Sequence, residues 1–265
     1  MGQLTHLSLF SGIGGLDLAA EWAGFSTVGQ CEWADYPTAV LEKHWPDVPR
    51  WRDIRTLTKE NFYERTGLET ITVLSGGFPC QPFSTAGKRR GKEDDRYLWP
   101  EMLRVIQEIR PRWVVGENVA GIVTLALDQV LSDLEGIGYA CQAVIIPACA
   151  VDAPHRRDRC AILAYGNSGG QLGGGAELRT AGCCGSYVSN TDNQRLQIPG
   201  YEPGVETVQP KDGTEFGCWW PAEPGVGRVA HGVPARVDRL KCLGNAVVPQ
   251  QFYPFFRAIA QLEEQ

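Results

Sequence analysis

Cys80 is the residue in this chain best placed to do covalent chemistry. It stands in Gly76-Gly77-Phe78-Pro79-Cys80-Gln81-Pro82-Phe83-Ser84, after an apolar run, Ile71-Thr72-Val73-Leu74, that reads as a buried parallel strand. The two glycines let the backbone turn sharply or approach a ligand closely. Pro79 and Pro82 stiffen the loop on both sides of the thiol. Open α/β sheets place their chemistry at the carboxyl ends of their strands. A deprotonated thiol is a strong nucleophile near neutral pH. The alternative is a buried structural cysteine in a turn, since free cysteine is among the most buried residue types. The loop alone leaves both readings open.

Other groups could act beside it. Trp113-Val114-Val115-Gly116 reads as a strand that runs into Glu117-Asn118-Val119. A carboxyl group there is partly desolvated, which raises its pKa and suits it to hold or donate a proton. This strand and the strand before Cys80 can be neighbours, so Glu117 and Cys80 can share a pocket. Arg156, Arg157 and Arg159 enter a strand at Cys160–Ala164, where they suit an anionic or polar substrate atom; a solvated strand entrance with Asp158 pairing locally is the alternative. Near the N-terminus, Leu7–Phe10 reads as a strand feeding Ser11-Gly12-Ile13-Gly14-Gly15-Leu16. Such a turn brings a cofactor close to backbone N–H groups, although G-x-G-G is less than the full dinucleotide fingerprint. Glu32 ends the second strand about 20 residues past the glycines, where this fold type holds ribose hydroxyls. Trp33 follows and can lie against an adenine ring. Asp53 can accept from an adenine amino group or simply cap a strand end. Together these favour a cofactor that contains a nucleoside.

The elements that would position these groups alternate. Strands at 7–10, 27–31 and a short one ending at 52–54 are followed by helices at 17–23, 36–44 and near 59–65. Then come the strand at 71–74, an amphipathic helix over 97–109, the strand from 113, a helix over 125–137, and strands at 143–146 and 160–164. This rhythm predicts an α/β sheet with helices on both faces. From Tyr165 to about Glu223 the rhythm stops and glycine is dense. The pairs Cys183-Cys184 and Trp219-Trp220 favour a small irregular domain there over a disordered insert. The closing segment Gln250–Leu262 reads as a helix that Pro254 kinks or delays. The division expected is 1–164 as a catalytic domain, 165–235 as a small second domain, and 236–265 returning to the first.

Composition sets limits. The chain has 265 residues and a formal charge of −6, with a pI near 5.3. That does not suggest a general nucleic-acid binder, but a local basic face is still compatible with one. Nine cysteines without a visible secretory leader suggest reduced thiols in a cytoplasmic setting. Without a C-x-x-C pair and with four scattered histidines, no metal site is expected. No apolar run is long enough to span a bilayer.

The order of motifs resembles the DNA (cytosine-5) methyltransferase family. The matching residues are Phe10-x-Gly12-x-Gly14, Pro79-Cys80-Gln81, Glu117-Asn118-Val119, Arg157-x-Arg159 and Gly244-Asn245-Ala246-Val247. They stand in the family's order and cover residues 4–164 and about 236–262. The resemblance implies a Rossmann-like S-adenosylmethionine-dependent methyltransferase sheet, with 165–235 as the variable target-recognition region. It implies methyl transfer to C5 of cytosine in double-stranded DNA, on a base extruded from the duplex. Cys80 would attack C6, Glu117 would hold or protonate N3, and Arg157 and Arg159 would fix O2 and the site's geometry. S-adenosylmethionine, which leaves as S-adenosylhomocysteine, would lie on Phe10, Ser11, Gly12, Ile13, Gly14, Gly15 and Leu16. Glu32, Trp33, Asp53, Ile54 and Pro79 would complete that pocket, with Asn245, Ala246 and Val247 closing it. Gln81, Ser84, Lys88, Arg89, Arg90, Arg96, Arg236 and Arg239 would meet DNA. The loop from Lys88 to Arg96 would act as a lid, although by composition alone it is a solvated loop. A monomer is expected, and a cognate restriction endonuclease is left open.

The chain departs from the family where His155 replaces the usual Gln and Arg52 the usual Gly, and in the poorly matching segment before Gly244. An RNA (tRNA) cytosine-5 methyltransferase on the same fold and a catalytically inactive DNA-binding regulator stay as alternatives. Gln81 after Pro79-Cys80 favours DNA, and the intact Cys80, Glu117, Arg157 and Arg159 set favours an enzyme. A dehydrogenase would leave the Pro-Cys-Gln loop unexplained.

Overall fold

The computed structural model describes residues 2–79, 97–166 and 235–264. Seven strands form one sheet in the order β3-β2-β1-β4-β5-β7-β6. They are β1 (Thr5–Leu9), β2 (Ser26–Cys31), β3 (Arg50–Trp51), β4 (Val73–Gly76), β5 (Trp113–Val119), β6 (Tyr139–Ile146) and β7 (Arg159–Gly166). The first five pair in parallel, and β7 runs antiparallel to both β5 and β6. Every residue of β1 and of β4 is buried, as expected of parallel strands covered on both faces.

The period of two along the strands divides the core. Leu74, Val114 and Ile162 point to one face. Phe62 of α3 (Lys59–Thr66), Met102, Val105 and Ile106 of α4 (Trp99–Ile109), and Leu134 of α6 (Leu127–Gly136) cover it. Val73, Val115 and Ala161 point to the other. Leu16, Ala19 and Ala20 of α1 (Gly15–Trp22) and Phe252, Phe256 and Ile259 of α8 (Pro249–Glu263) cover that one. The expected α/β architecture with helices on both faces is what the chain forms. The second helix, α2 (Asp35–His44), carries only Thr38 and Leu41 fully inside. Helix α3 starts on a capping box of Thr58 with Asn61.

Some elements differ from the sequence expectation. The helix expected over 125–137 is two, α5 (Ile122–Leu125) and α6, broken at Ala126, whose φ of −152 is not helical. The third strand is only two residues, and a 3₁₀ turn (Ile54–Thr56) follows it. β4 lies two residues later than the apolar run suggests and takes in Gly76. β6 begins at Tyr139, four residues early, because all eight of its residues pair with β7. A further helix, α7 (Arg236–Asn245), carries no apolar face turned inward: Val237, Leu240 and Leu243 are all exposed. Pro254 sits inside α8 without ending it. Among the described residues no helix is long and apolar enough to cross a membrane.

Candidate active site

The carboxyl ends of β1, β2, β4 and β5 share one edge. β1 lies between β2 and β4, so the strand order reverses at it, and open α/β sheets bind ligands at such a point. Because β7 is antiparallel, its beginning rather than its end lies at this edge. Val119 pairs with Arg159, and Glu117 with Ala161. Glu117 and Arg159 are therefore diagonal neighbours on one face.

Glu117 belongs to the strand itself. Its Oε1 lies 2.8 Å from Arg159 Nε, and each side chain is 12% exposed. The Nε–H does not point along that line, so the two form an ion pair by proximity rather than an aligned hydrogen bond. Burial pushes the Glu117 carboxyl above its usual range; Arg159 and then Arg157 pull it back, but not fully. On the other side Glu117 meets the loop that leads to Cys80. A Cβ on Gly77 would lie 2.6 Å from Glu117 Oε2, so only glycine lets the carboxylate rest there. The expected neighbourhood of β4 and β5 thus holds, with Val73 to Gly76 paired to Trp113 to Gly116.

Sequence reasoning passed over Asn118. Its side-chain Nδ2 donates to the buried carbonyl of Phe78 at 3.0 Å, and its Oδ1 accepts from the Val119 N–H. Asn118 therefore anchors the loop two residues before Cys80. Its signal was its place between Glu117 and Val119. Gln251, fully buried in α8, was also missed and lies in no motif.

Arg157 turns to the C-terminal segment. Its guanidinium donates to Gly244 O at 2.7 Å and Ala246 O at 2.6 Å, which brings the Gly244–Val247 motif to the sheet edge. That segment meets the glycine turn, where a Cβ on Gly15 would stand 2.7 Å from Val247 O. Asn245 and Arg239 are exposed.

The glycine turn leaves β1 through Phe10, whose φ is 52. Ser11 is tied down, its N–H donating to Cys31 O and its hydroxyl to Ser8 O. Glu32 reaches back to the turn, its Oε2 accepting from Gly12 N–H at 2.8 Å and its Oε1 from Ala34 N–H at 2.9 Å. Trp33 is 71% exposed beside it. Asp53 caps the 3₁₀ turn by accepting from Arg55 N–H, the simpler of its two expected roles. Leu16 and Ile54 are core residues, buried in opposite layers. Beneath the turn lies a polar network. Asp17 accepts from Ser8 Oγ at 2.9 Å and Gln30 Nε2 at 2.8 Å, and Arg50 donates to Gln30 Oε1. Burial raises the Asp17 carboxyl to about 6. Residues 80–96 and 167–234 lie outside the described residues, and with them Cys80, Gln81, Ser84, Lys88, Arg89, Arg90 and Arg96. The Arg236 side chain is outside them too.

A doubly wound sheet with a glycine turn at the switch point and a buried acid–arginine pair at the carboxyl edge is a Rossmann-like fold. The family profile for C-5 cytosine-specific DNA methylase matches residues 4–197, and the chain belongs to that family. Segment 236–262 lies beyond the match, so its place at the site rests on the Arg157 and Gly15 contacts. The chain is 32% identical over 169 residues to the Type II methyltransferase M.NgoMIV of Neisseria gonorrhoeae, covering 62% of this chain and 53% of that protein. It is 37% identical over 164 residues to M.PspPI of Psychrobacter sp. (strain TA137), covering 59% and 38%. A solved putative DNA modification methyltransferase encoded within a prophage (E. coli) superposes with a TM-score of 0.54 at 26% identity, over 62% of this chain and 47% of that one. The S. pombe Dnmt2 methyltransferase shares the fold, with a TM-score of 0.52 at 24% identity, over 64% and 53%. The chain spans about half, or less, of the length of these curated relatives.

Proposed function

We propose that this chain transfers a methyl group from S-adenosylmethionine to C5 of cytosine in duplex DNA. The observation that carries the reading is the Glu117–Arg159 pair, nearly buried and pressed against Gly77, three residues before Cys80. The C6 position of cytosine is a poor electrophile until N3 is held or protonated. Burial raises the Glu117 carboxyl, which suits it to share a proton with N3. Arg159 supplies a charged donor for O2 beside it. Cys80 thiolate then adds to C6, and electron density moves to C5. Once C5 is methylated, loss of its proton lets the C6–S bond break and returns the thiolate.

The glycine turn fits a nucleoside cofactor. Nothing lies within 4 Å of a Cβ built on Gly12, so the turn faces open space, and Trp33 offers an exposed aromatic face. S-adenosylmethionine supplies an electrophilic methyl group on its sulfonium when bound. Glu32 would hold the ribose through lone pairs its two backbone bonds leave over, and Val247 would close the pocket. The reading also takes 1–164 and 236–265 as the catalytic domain and 165–235 as the target-recognition domain. Lys88 to Arg96, Gln81, Ser84, Arg236 and Arg239 would meet DNA, and the enzyme would work as a monomer.

The test is transfer of labelled methyl from S-adenosylmethionine to unmethylated duplex DNA, with wild type run beside Cys80→Ala and the product base identified. Label in 5-methylcytosine that the variant loses supports the reading. A folded wild type that labels transfer RNA and not duplex DNA replaces DNA with RNA as the substrate. One that labels neither refutes the enzyme.

A further inference from the structure

Gln251 holds together two parts of the site that the motifs treat separately. It is the third residue of α8 and is fully buried. Its single amide nitrogen donates twice, to Ile146 O at the end of β6 and to Arg157 O just before β7, each at 3.0 Å. Both partners are carbonyls, so the amide can face them only with its nitrogen. One side chain thus pins α8 to both arms of the β6–β7 connection where it opens at the catalytic edge. Arg157 is held there with a φ of 35, a conformation that L side chains rarely adopt. Its guanidinium holds Gly244 O and Ala246 O, and Val247 rests on Gly15. The stretch 244–251 is fastened at its start by Arg157, in its middle by the glycine turn, and at its end by Gln251. Arg159, two residues beyond Arg157, faces Glu117.

We propose that Gln251 is a positioning residue that, through Arg157, couples the glycine-turn pocket to the Glu117–Arg159 pair. Seating of the 244–248 segment on the cofactor side and alignment of the arginines on the base side are then one event. The proposal rests on the methyltransferase reading.

The full chain is compared with Gln251→Leu, which keeps the bulk and removes both donors. S-adenosylmethionine Kd is measured by calorimetry, kcat and KM on duplex DNA by methyl transfer, and folding by thermal unfolding. The expected result is a roughly tenfold weaker Kd and a roughly tenfold lower kcat, with KM for DNA changed less than about threefold. Arg157→Lys should weaken cofactor binding in the same way, and the double variant should be no worse than about the poorer single, since both cut one linkage. The proposal is overturned if Gln251→Leu lowers only the unfolding temperature, or if the two effects multiply. Should Gln251→Leu not fold, Gln251→Asn keeps the donors on an arm too short to reach and reads the same cycle. A wild type that binds no S-adenosylmethionine overturns the functional reading and this proposal together. A wild type that binds it no better than the Gln251 variants overturns this proposal alone.

Discussion

Alanine at Gly77 tests whether the position of Glu117 matters to catalysis. The added methyl carbon would stand 2.6 Å from Glu117 Oε2, with the next carboxylate atom 3.8 Å away. A carbon and an oxygen approach comfortably to about 3.3 Å, so the carboxylate must retreat by roughly 0.7 Å. Glu117 ends a side chain that can swing, so the stability loss should sit at the low end of overpacking, about 1 kcal/mol, or a fall of about 2–4 °C in unfolding temperature. Catalysis has less room. A displacement of about 1 Å at a reacting group costs on the order of a hundredfold, so kcat on duplex DNA should fall by about 30- to 100-fold. Gly76→Ala supplies the contrast. Its Cβ would meet Leu9 O at 3.1 Å and Met102 Cε and Sδ at 3.2 Å, in the core and away from Glu117. It should destabilise the fold by about 1 kcal/mol or more while kcat stays within about threefold of wild type. Methyl-transfer kinetics and thermal unfolding on the two variants decide the matter. Gly77→Ala with near wild-type kcat would refute the idea that Glu117 works from where it sits.

Other expectations follow from the same geometry. Asn118→Ala strips the buried Phe78 carbonyl of its donor, which should cost about 1–3 kcal/mol in urea unfolding and lower kcat by loosening the loop before Cys80. Because burial raises the Glu117 carboxyl, its acid form persists to higher pH. The pH–rate profile should fall on the alkaline side through that group, and Glu117→Gln should flatten this limb. His6 is buried between Thr27 and Ser75, and burial lowers it to about 3 from 6.5. It contributes stability that is present above pH 6.5 and lost as pH falls towards 3, roughly 2–3 kcal/mol by pH 4.5 at about 1.4 kcal/mol per pH unit. Asp17, raised to about 6 from 3.8, works in the opposite sense. It stabilises at acid pH and loses that contribution as pH rises through about 6, with a total near 3 kcal/mol. Unfolding at pH 4.5 and 7 should show His6→Gln less acid-sensitive than wild type and Asp17→Asn more so.

The sheet was legible because its strands announce themselves. The apolar runs around Leu7, Leu74 and Val114 are buried on both faces and admit few other roles. Glu117 and Arg159 could be marked as candidates because charge at a strand terminus is hard to explain as core. Their pairing depends on something composition does not carry. β7 runs against its neighbours, which moves its first residue, not its last, to the edge where β5 ends. Gln251 and Asn118 were missed for a related reason. A side-chain amide matters through the carbonyl it meets, and Phe78, Ile146 and Arg157 are distant from their partners along the chain. Helix α7 was not foreseen although Val237, Leu240 and Leu243 stand three residues apart, and in the fold all three are exposed.

The antiparallel strand also brings the glycine turn and the Glu117–Arg159 pair to one edge of the sheet. The parallel strands β1 and β2 deliver backbone N–H groups and Glu32, which suit a nucleoside. β4 and β5 bring Gly77 and Glu117 to the far side of the switch point. A fully parallel sheet would send the arginines to the opposite edge. With β7 reversed, Arg159 meets Glu117 while Arg157, two residues earlier, reaches the Gly244 and Ala246 carbonyls, next to Val247, which lies over Gly15. Arg157 stands outside β7 with a φ of 35, so it does not follow the strand's alternation and takes a partner different from that of Arg159. The Arg157-x-Arg159 spacing is then a geometric requirement. Inserting one residue between them would draw Arg157 off the Gly244 and Ala246 carbonyls or Arg159 off Glu117, whichever was kept in place.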